Sequence, residues 1–355
     1  MSTGSAMRPG VYASYAIVGG QSGTANGAVG VMAQSLAGEV LAVKRFTRLA
    51  DVYGEYGRQS EGGRLSALVG LLFEGGAGDV YCVNVGNAPT RQDYLDAYAL
   101  LDSKDEIKAV VCDTDSLETQ KALGQRLSES ANRSRERIGF FGVSKDVTPT
   151  QIAQAAQEMN SERVCLLAPA VSILQGQSAS GAYLAAAACA AVIGQSDPAA
   201  NLNLLELKGE MELPAVYTEA DITLLLGAGV TVAERVGGGV RLIRALTTKT
   251  RQDDAVDVTL RELSTVRIID DVVPALRTLL TARLRGAKNN AATRDAIRTQ
   301  VACELEKKRS AGIIDGYDPP VVYPKADEPT VCVVEVAFAV VYGMHRIELT
   351  AFITV

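Results

Sequence analysis

The last part of the chain alternates. From His345 to Val355, Ile347, Leu349, Ala351, Ile353 and Val355 fall on one side and Arg346, Glu348, Thr350, Phe352 and Thr354 on the other. That period of two predicts a strand with one buried face. Val331 to Tyr342 is apolar nearly throughout, which predicts a strand buried on both faces. Gly343-Met344 separates the two runs. Near the start, Val11 to Val18 (VYASYAIV) follows Arg8-Pro9-Gly10 and is rich in Val, Ile and Tyr, which predicts another strand. Two lone strands are marginal in water, so both ends need a sheet to receive them. On base rates, the chain's own sheet is the simplest recipient.

Between the ends the pattern changes period. A Gly-rich stretch, 19–38, surrounds a short strand at Ala28–Ala33; Val40–Phe46 and Asp79–Val85 read as strands, and Gly62–Glu74 as a helix. Helices then precede strands in turn: Thr90–Leu101 before Ile107–Cys112, Ser116–Arg133 before Arg137–Val143, Thr148–Met159 before Arg163–Ala168, with helix Ser178–Ile193 following. Successive βα units imply a mostly parallel sheet wrapped by helices. Ala182–Ile193 is too short to span a bilayer and reads as a buried helix packed through its alanines. Residues 194–217 read as a crossing between domains. Thr218 then caps a helix, with Asp221 at its third position and Gly227 at its end. A hairpin turns at Gly237-Gly238-Gly239, with Gly229–Arg235 and Val240–Thr247 as its arms. Leu263–Arg285 is a long amphipathic helix kinked or broken at Pro274. A last helix opens at Asn289-Asn290 and ends at Gly312, with Ile297, Val301 and Leu305 on one face and Arg294 and Arg298 bordering that stripe.

The 355 residues suit about two domains, and 47% hydrophobic with 21% charged residues is an ordinary globular balance. A net charge of -6 and the lack of a basic tract argue against a nucleic-acid partner. Residues 1–20 lack the pattern of a secretory signal. The six cysteines contain no C-x-x-C and read as reduced core residues of a protein made in the cytoplasm. Chemistry is hard to place. Neither G-x-G-x-x-G nor G-x-x-x-x-G-K-[ST] occurs. Asp113 and Asp115, beyond a strand end, either hold Mg²⁺ or cap the helix near Ser116, and capping is the favoured reading. Gly176 to Ser180 nearly makes a nucleophile elbow, but Ser180 stands where the closing glycine belongs. His345, the one histidine, reads as a solvent-facing strand residue. No catalytic, cofactor or metal site is assigned.

Asp221 to Val230, Gly237 to Val240 and Ala245 to Thr250 resemble the C-terminal core of contractile tail sheath proteins of phages and headless tail-like bacteriocins. So do Leu279-Leu280, Lys288-Asn289-Asn290, the Gly312-Ile313-Ile314 turn, the strand around Gly343-Met344 and the opening Arg8-Pro9-Gly10-Val11-Tyr12. The resemblance is specific over about 215–355 and the first twenty residues, and weak over 36–200. It implies a variable α/β domain (21–205) and a C-terminal α+β sheath core (206–342), with linking arms at 1–20 and 343–355. By this resemblance the arms add strands to neighbouring subunits through Val11, Tyr12, Tyr15, Ile17, Ile347, Leu349, Ile353 and Val355. Gly10, Gly19, Gly20 and Gly343 serve as hinges. The resemblance further implies stacked six-membered rings that form around an inner tube and contract to drive it through a target envelope. Lys288, Arg294 and Arg298 are its tube-facing candidates. The implied partners are further copies of the chain, the inner tail tube protein, and baseplate and tail terminator proteins. The implied place is a virion or tail-like particle built in the host bacterial cytoplasm, with no membrane insertion. Two other classes compete: an α/β nucleotide-binding enzyme using 80–195, and another self-assembling tail or shell protein.

Overall fold

The computed structural model describes residues 27–58, 63–173, 178–252 and 255–346. Their contacts divide into two compact units, the larger holding residues 26–196, 200–263 and 343 onward, and the smaller holding 197–199 and 264–342.

The larger unit is built on a nine-stranded sheet. Its strands are β1 (Ala28–Ala33), β2 (Val43–Phe46), β3 (Val80–Asn84), β4 (Ile107–Cys112), β5 (Ile138–Gly142), β6 (Val164–Ala168), β7 (Glu206–Leu207), β8 (Val230–Val236) and β9 (Gly239–Leu242). Their order is β2-β3-β1-β4-β5-β6-β8-β9-β7. The run from β3 to β8 is parallel, and β2, β9 and β7 join antiparallel at the edges. The parallel strands β1, β3, β5 and β6 are buried along their whole length, which is why they read as unbroken apolar runs.

The crossover helices are α1 (Leu49–Tyr56), α2 (Arg64–Gly75), α3 (Arg91–Asp102), α4 (Leu117–Ala131), α5 (Pro149–Met159), α6 (Gly181–Ile193) and α7 (Glu219–Gly227). Side-chain caps start five of them, α3 to α7. Thr90, Thr148 and Thr218 close capping boxes with Asp93, Gln151 and Asp221, each satisfying backbone N–H groups that the helix leaves open. In α6 every residue except Ala191 is buried, as its alanine-rich sequence predicts. It lies so close to β5 that a Cβ on Gly142 would fall 2.0 Å from the carbonyl carbon of Gly181. Only glycine permits that approach.

Charged groups sit inside this core too, among them Arg137, Arg163 and Asp113. Arg137 is buried, and its guanidinium donates to the carbonyls of Ile107 (3.1 Å), Lys104 (2.6 Å) and Asp102 (3.2 Å) and pairs with the Asp102 carboxylate. A buried cation persists only when paired and fully hydrogen-bonded.

The smaller unit holds α8 (Leu263–Leu284, from Ser264), α9 (Ala291–Ser310) and four strands: β12 (Gly316–Tyr317), β13 (Val321–Lys325), β14 (Glu328–Glu335) and β15 (Phe338–Ala339). β10 (Arg251–Gln252) and β11 (Ala255–Val256) form a small ribbon in the larger unit. Pro274 lies inside α8 without ending it. The helices meet through Val272, Leu276, Val301 and Leu305, with Ile313 and Ile314 closing the core; the predicted stripe on α9 supplies half of that contact.

Several expectations change. The boundary expected at 205/206 falls within the large sheet, which takes β7, β8 and β9 from beyond it, and the contacts divide the chain at 263/264. The expected crossing at 194–217 contributes β7 and an antiparallel bridge from Glu212 to Ser172. The run 331–342 is not one doubly buried strand. It splits between β14 and β15, and none of its residues is buried. Cys303 is exposed and Cys332 half-exposed, while the other four cysteines are buried.

Candidate assembly surface

β13 pairs with β14 in antiparallel register from Val321↔Glu335 to Pro324↔Cys332, and the register then shifts to Lys325↔Glu328 at the turn. β12 pairs with β15 through Gly316↔Ala339 and Tyr317↔Phe338. Among the described residues each ribbon has two strands, so every one of these strands has an edge with no strand beside it. Pro324 fits such a position, because proline is tolerated on an edge. The faces are incompletely covered as well. Val331, Val333, Val334 and Val336 are half-buried, Val321 is 52% exposed and Tyr342 54% exposed. An apolar, open-edged ribbon of this kind is a template for another strand.

The arm residues Val11, Tyr12, Tyr15, Ile17, Ile347, Leu349, Ile353 and Val355, with Gly10, Gly19 and Gly20, lie outside the described residues. Gly343 is described and is closely packed. A Cβ there would fall 2.6 Å from Asn201 Oδ1. The next carbonyl, of Met344, accepts from Asn201 Nδ2 at 2.9 Å and Asn203 Nδ2 at 3.4 Å. His345 is exposed, but residues 341–346 have no regular secondary structure, so it is not on a strand.

The three basic candidates fall in different settings. Arg294 is half-buried and donates to Asn289 Oδ1 at 2.9 Å; Asn289 in turn donates to the carbonyls of Pro329 (2.7 Å) and Val331 (3.3 Å). That chain ties α9 to the irregular stretch of β14. Arg298 pairs with Asp295 at 2.5 Å. Lys288 is exposed, and so are all residues from 281 to 288. The last turn of α8 and the elbow after it also carry Arg283 and Arg285, which the sequence reading missed. Arg283, Arg285 and Lys288 have no ion pair among the described residues. Arg283 and Lys288 share with Ile297 and Gln300 the wall of a cleft of about 500 Å³. The signal available in the sequence was the run Arg283-Leu284-Arg285 with no acid within reach of one turn.

The acidic pair at the strand ends is consumed internally. Asp113 is buried beside the carboxyl end of β1, where the strand order reverses and α/β sheets bind ligands. Its carboxylate accepts from the Tyr94 hydroxyl at 2.5 Å and the Gln34 N–H at 3.0 Å, and Arg64 donates to its carbonyl at 2.9 Å. Asp115 accepts from the Ser180 hydroxyl at 3.3 Å. Burial raises the pKa of both carboxyls, with Arg64 opposing it. Neither caps the helix: Ser116 Oγ accepts the Thr119 N–H instead. The described residues hold no cluster of His, Cys, Asp or Glu able to bind a metal ion. Ser180 caps α6, and Gly176 and Gln177 of the elbow-like stretch lie outside the described residues.

The profile of the phage tail sheath protein central domain matches residues 87–248, and that of the phage tail sheath C-terminal domain matches 255–354. The tail sheath protein of Bacillus phage SP01 is 28% identical over 234 residues, 63% of this chain but 39% of its own length. The chain thus spans about two-fifths of that relative. The contracted helical sheath of the anti-feeding prophage has the same fold, with a TM-score of 0.72 and 16% identity, over 97% of this chain and 98% of that one. The sheath of an extracellular contractile injection system, the PVC sheath complex in its contracted state, matches with TM-score 0.72 and 16% identity over 97% of each chain. The sheath tail protein of Desulfitobacterium hafniense matches with TM-score 0.68 and 12% identity, over 94% of this chain and 100% of that one. Two successive family domains and a shared fold make this chain a member of the phage tail sheath protein family.

Proposed function

We propose that the chain is the structural subunit of a contractile tail sheath. Copies polymerise as stacked six-membered rings around an inner tube and contract to drive that tube through a target envelope. The observation that carries this reading is the uncovered apolar ribbon of the smaller unit. Residues 331–342 are as apolar as a core strand, yet the described chain leaves them half-buried with open edges. Strands from neighbouring copies would complete the sheet by main-chain hydrogen bonds. Val11, Tyr12, Tyr15 and Ile17 serve at one end, and Ile347, Leu349, Ile353 and Val355 at the other. Gly10, Gly19 and Gly20 act as hinges, and Gly343 marks the base of the C-terminal arm. Contacts of this type do not close along the axis, so they build a helical assembly.

The tube-facing charge is carried by Lys288 with Arg283 and Arg285, which are exposed and have no ion pair among the described residues, together with Arg294 and Arg298. The remaining partners are the baseplate and tail terminator proteins, and assembly takes place in the bacterial cytoplasm into a virion or tail-like particle. No helix among the described residues is long and apolar enough to cross a membrane.

Electron microscopy of the purified full chain tests the reading. Hollow tubes are expected, and a chain lacking Met1–Val18, or ending at Tyr342, should stay a folded monomer. Normal tubes from either truncated chain would refute the arm assignment.

A further inference from the structure

The root of the C-terminal arm is fastened. Residues 200–205 run beside β9: Leu204 N–H donates to the Ile243 carbonyl at 3.3 Å and Leu242 N–H to the Leu205 carbonyl at 2.9 Å. Ile243 packs against the main core, so this loop rests on a rigid support. Within it Asn201 Oδ1 accepts the Asn203 N–H at 3.0 Å, the local turn that asparagine favours. That turn leaves both amide NH₂ groups directed at one acceptor, the Met344 carbonyl, at 2.9 and 3.4 Å. Gly343 completes the arrangement, since a Cβ there would meet Asn201 Oδ1 at 2.6 Å and Cγ at 3.0 Å. The contact is convergent and local, and it uses side chains that serve no core.

We infer that Asn201 and Asn203 form a clip that positions the root of the C-terminal arm. This inference rests on the proposed role of Ile347, Leu349, Ile353 and Val355 as a strand given to a neighbour. A strand that starts from a preset point loses less freedom on docking, so binding is favoured by pre-organisation. Gly343 is then the seat of the clip rather than a free swivel, and release of the Met344 carbonyl becomes the step that frees the arm to change direction.

The clip can be removed without disturbing the loop. Asn201→Asp with Asn203→Asp keeps size, and keeps the Oδ1 that accepts the Asn203 N–H, but removes both NH₂ donors. In the full chain this variant should need about tenfold higher concentration for half-assembly, equivalent to one or two net hydrogen bonds, with an unchanged melting temperature. Gly343→Ala should shift half-assembly in the same direction. A chain ending at Arg346, which retains the clip, is measured alongside and should not assemble. If it stays monomeric while the double variant assembles at the wild-type concentration, the clip is overturned and the arm reading stands. If it assembles normally, the arm reading fails and the clip falls with it.

Discussion

Replacing Leu305 by alanine probes the smaller unit alone. Leu305 is fully buried on α9 against Val272, Leu276, Val301, Ile313 and Ile314. Leu→Ala in a packed core costs about 3 kcal/mol through lost transfer energy and the cavity left behind. A compact unit holds roughly 5–15 kcal/mol in total, so this change removes a large part of the smaller unit's stability. At about 1.4 kcal/mol per tenfold, the opened population of that unit should rise about a hundredfold. Native-state amide exchange reads this directly, because buried amides exchange through such openings. Protection should fall about a hundredfold across α9 and β14, while amides of β4 and β5 keep their rates, since they belong to the separate core of the larger unit. Less than about a threefold change in α9, or an equal change in β4 and β5, would refute the claim that the two cores are energetically distinct.

Three further tests address the larger unit. Asp102→Asn strips the buried Arg137 of its counter-charge and should destabilise by about 3–5 kcal/mol in denaturant unfolding; a loss below about 1 kcal/mol would mean the carbonyl bonds alone suffice. Gly142→Ala forces a methyl into the backbone of α6 and should cost about 3 kcal/mol, near the upper end for overpacking, read as a lower melting temperature. The third uses pH. Burial raises the folded-state pKa of Asp113, so its protonated form is the one favoured by folding. That contribution is complete below the unfolded carboxyl value of about 3.9 and is lost as pH rises through the folded value. Asp113→Asn should therefore gain stability relative to wild type as pH rises from acid; a stability difference that stays flat with pH would refute the shift.

The legible parts of this chain were those written locally. Thr90, Thr148 and Thr218 announce their helices because a cap and its partner lie three residues apart. The stripe of Ile297, Val301 and Leu305 turned out to face a core. What eluded the sequence was long-range. Nothing in β8 and β9 says that they extend a sheet begun two hundred residues earlier, so the domain boundary was placed too soon. Asp113 and Asp115 looked like caps, yet their partners Tyr94, Gln34 and Ser180 come from distant elements. Hydrophobicity identified 331–342 as wanting cover but was silent on which chain supplies it. Arg294 looked like a surface charge beside a stripe, and only the fold shows it holding Asn289 against β14.

The helix α6 has a mechanical consequence. With Gly181 pressed on Gly142, Gly75 against Ala190, and nearly every face of the rod enclosed, it has no slack in which to slide or tilt. Close packing of this kind makes the core of the larger unit resist deformation. In the proposed sheath, a change of shape is therefore assigned to the mortar between such units, the linking threads of chain, rather than to the units themselves.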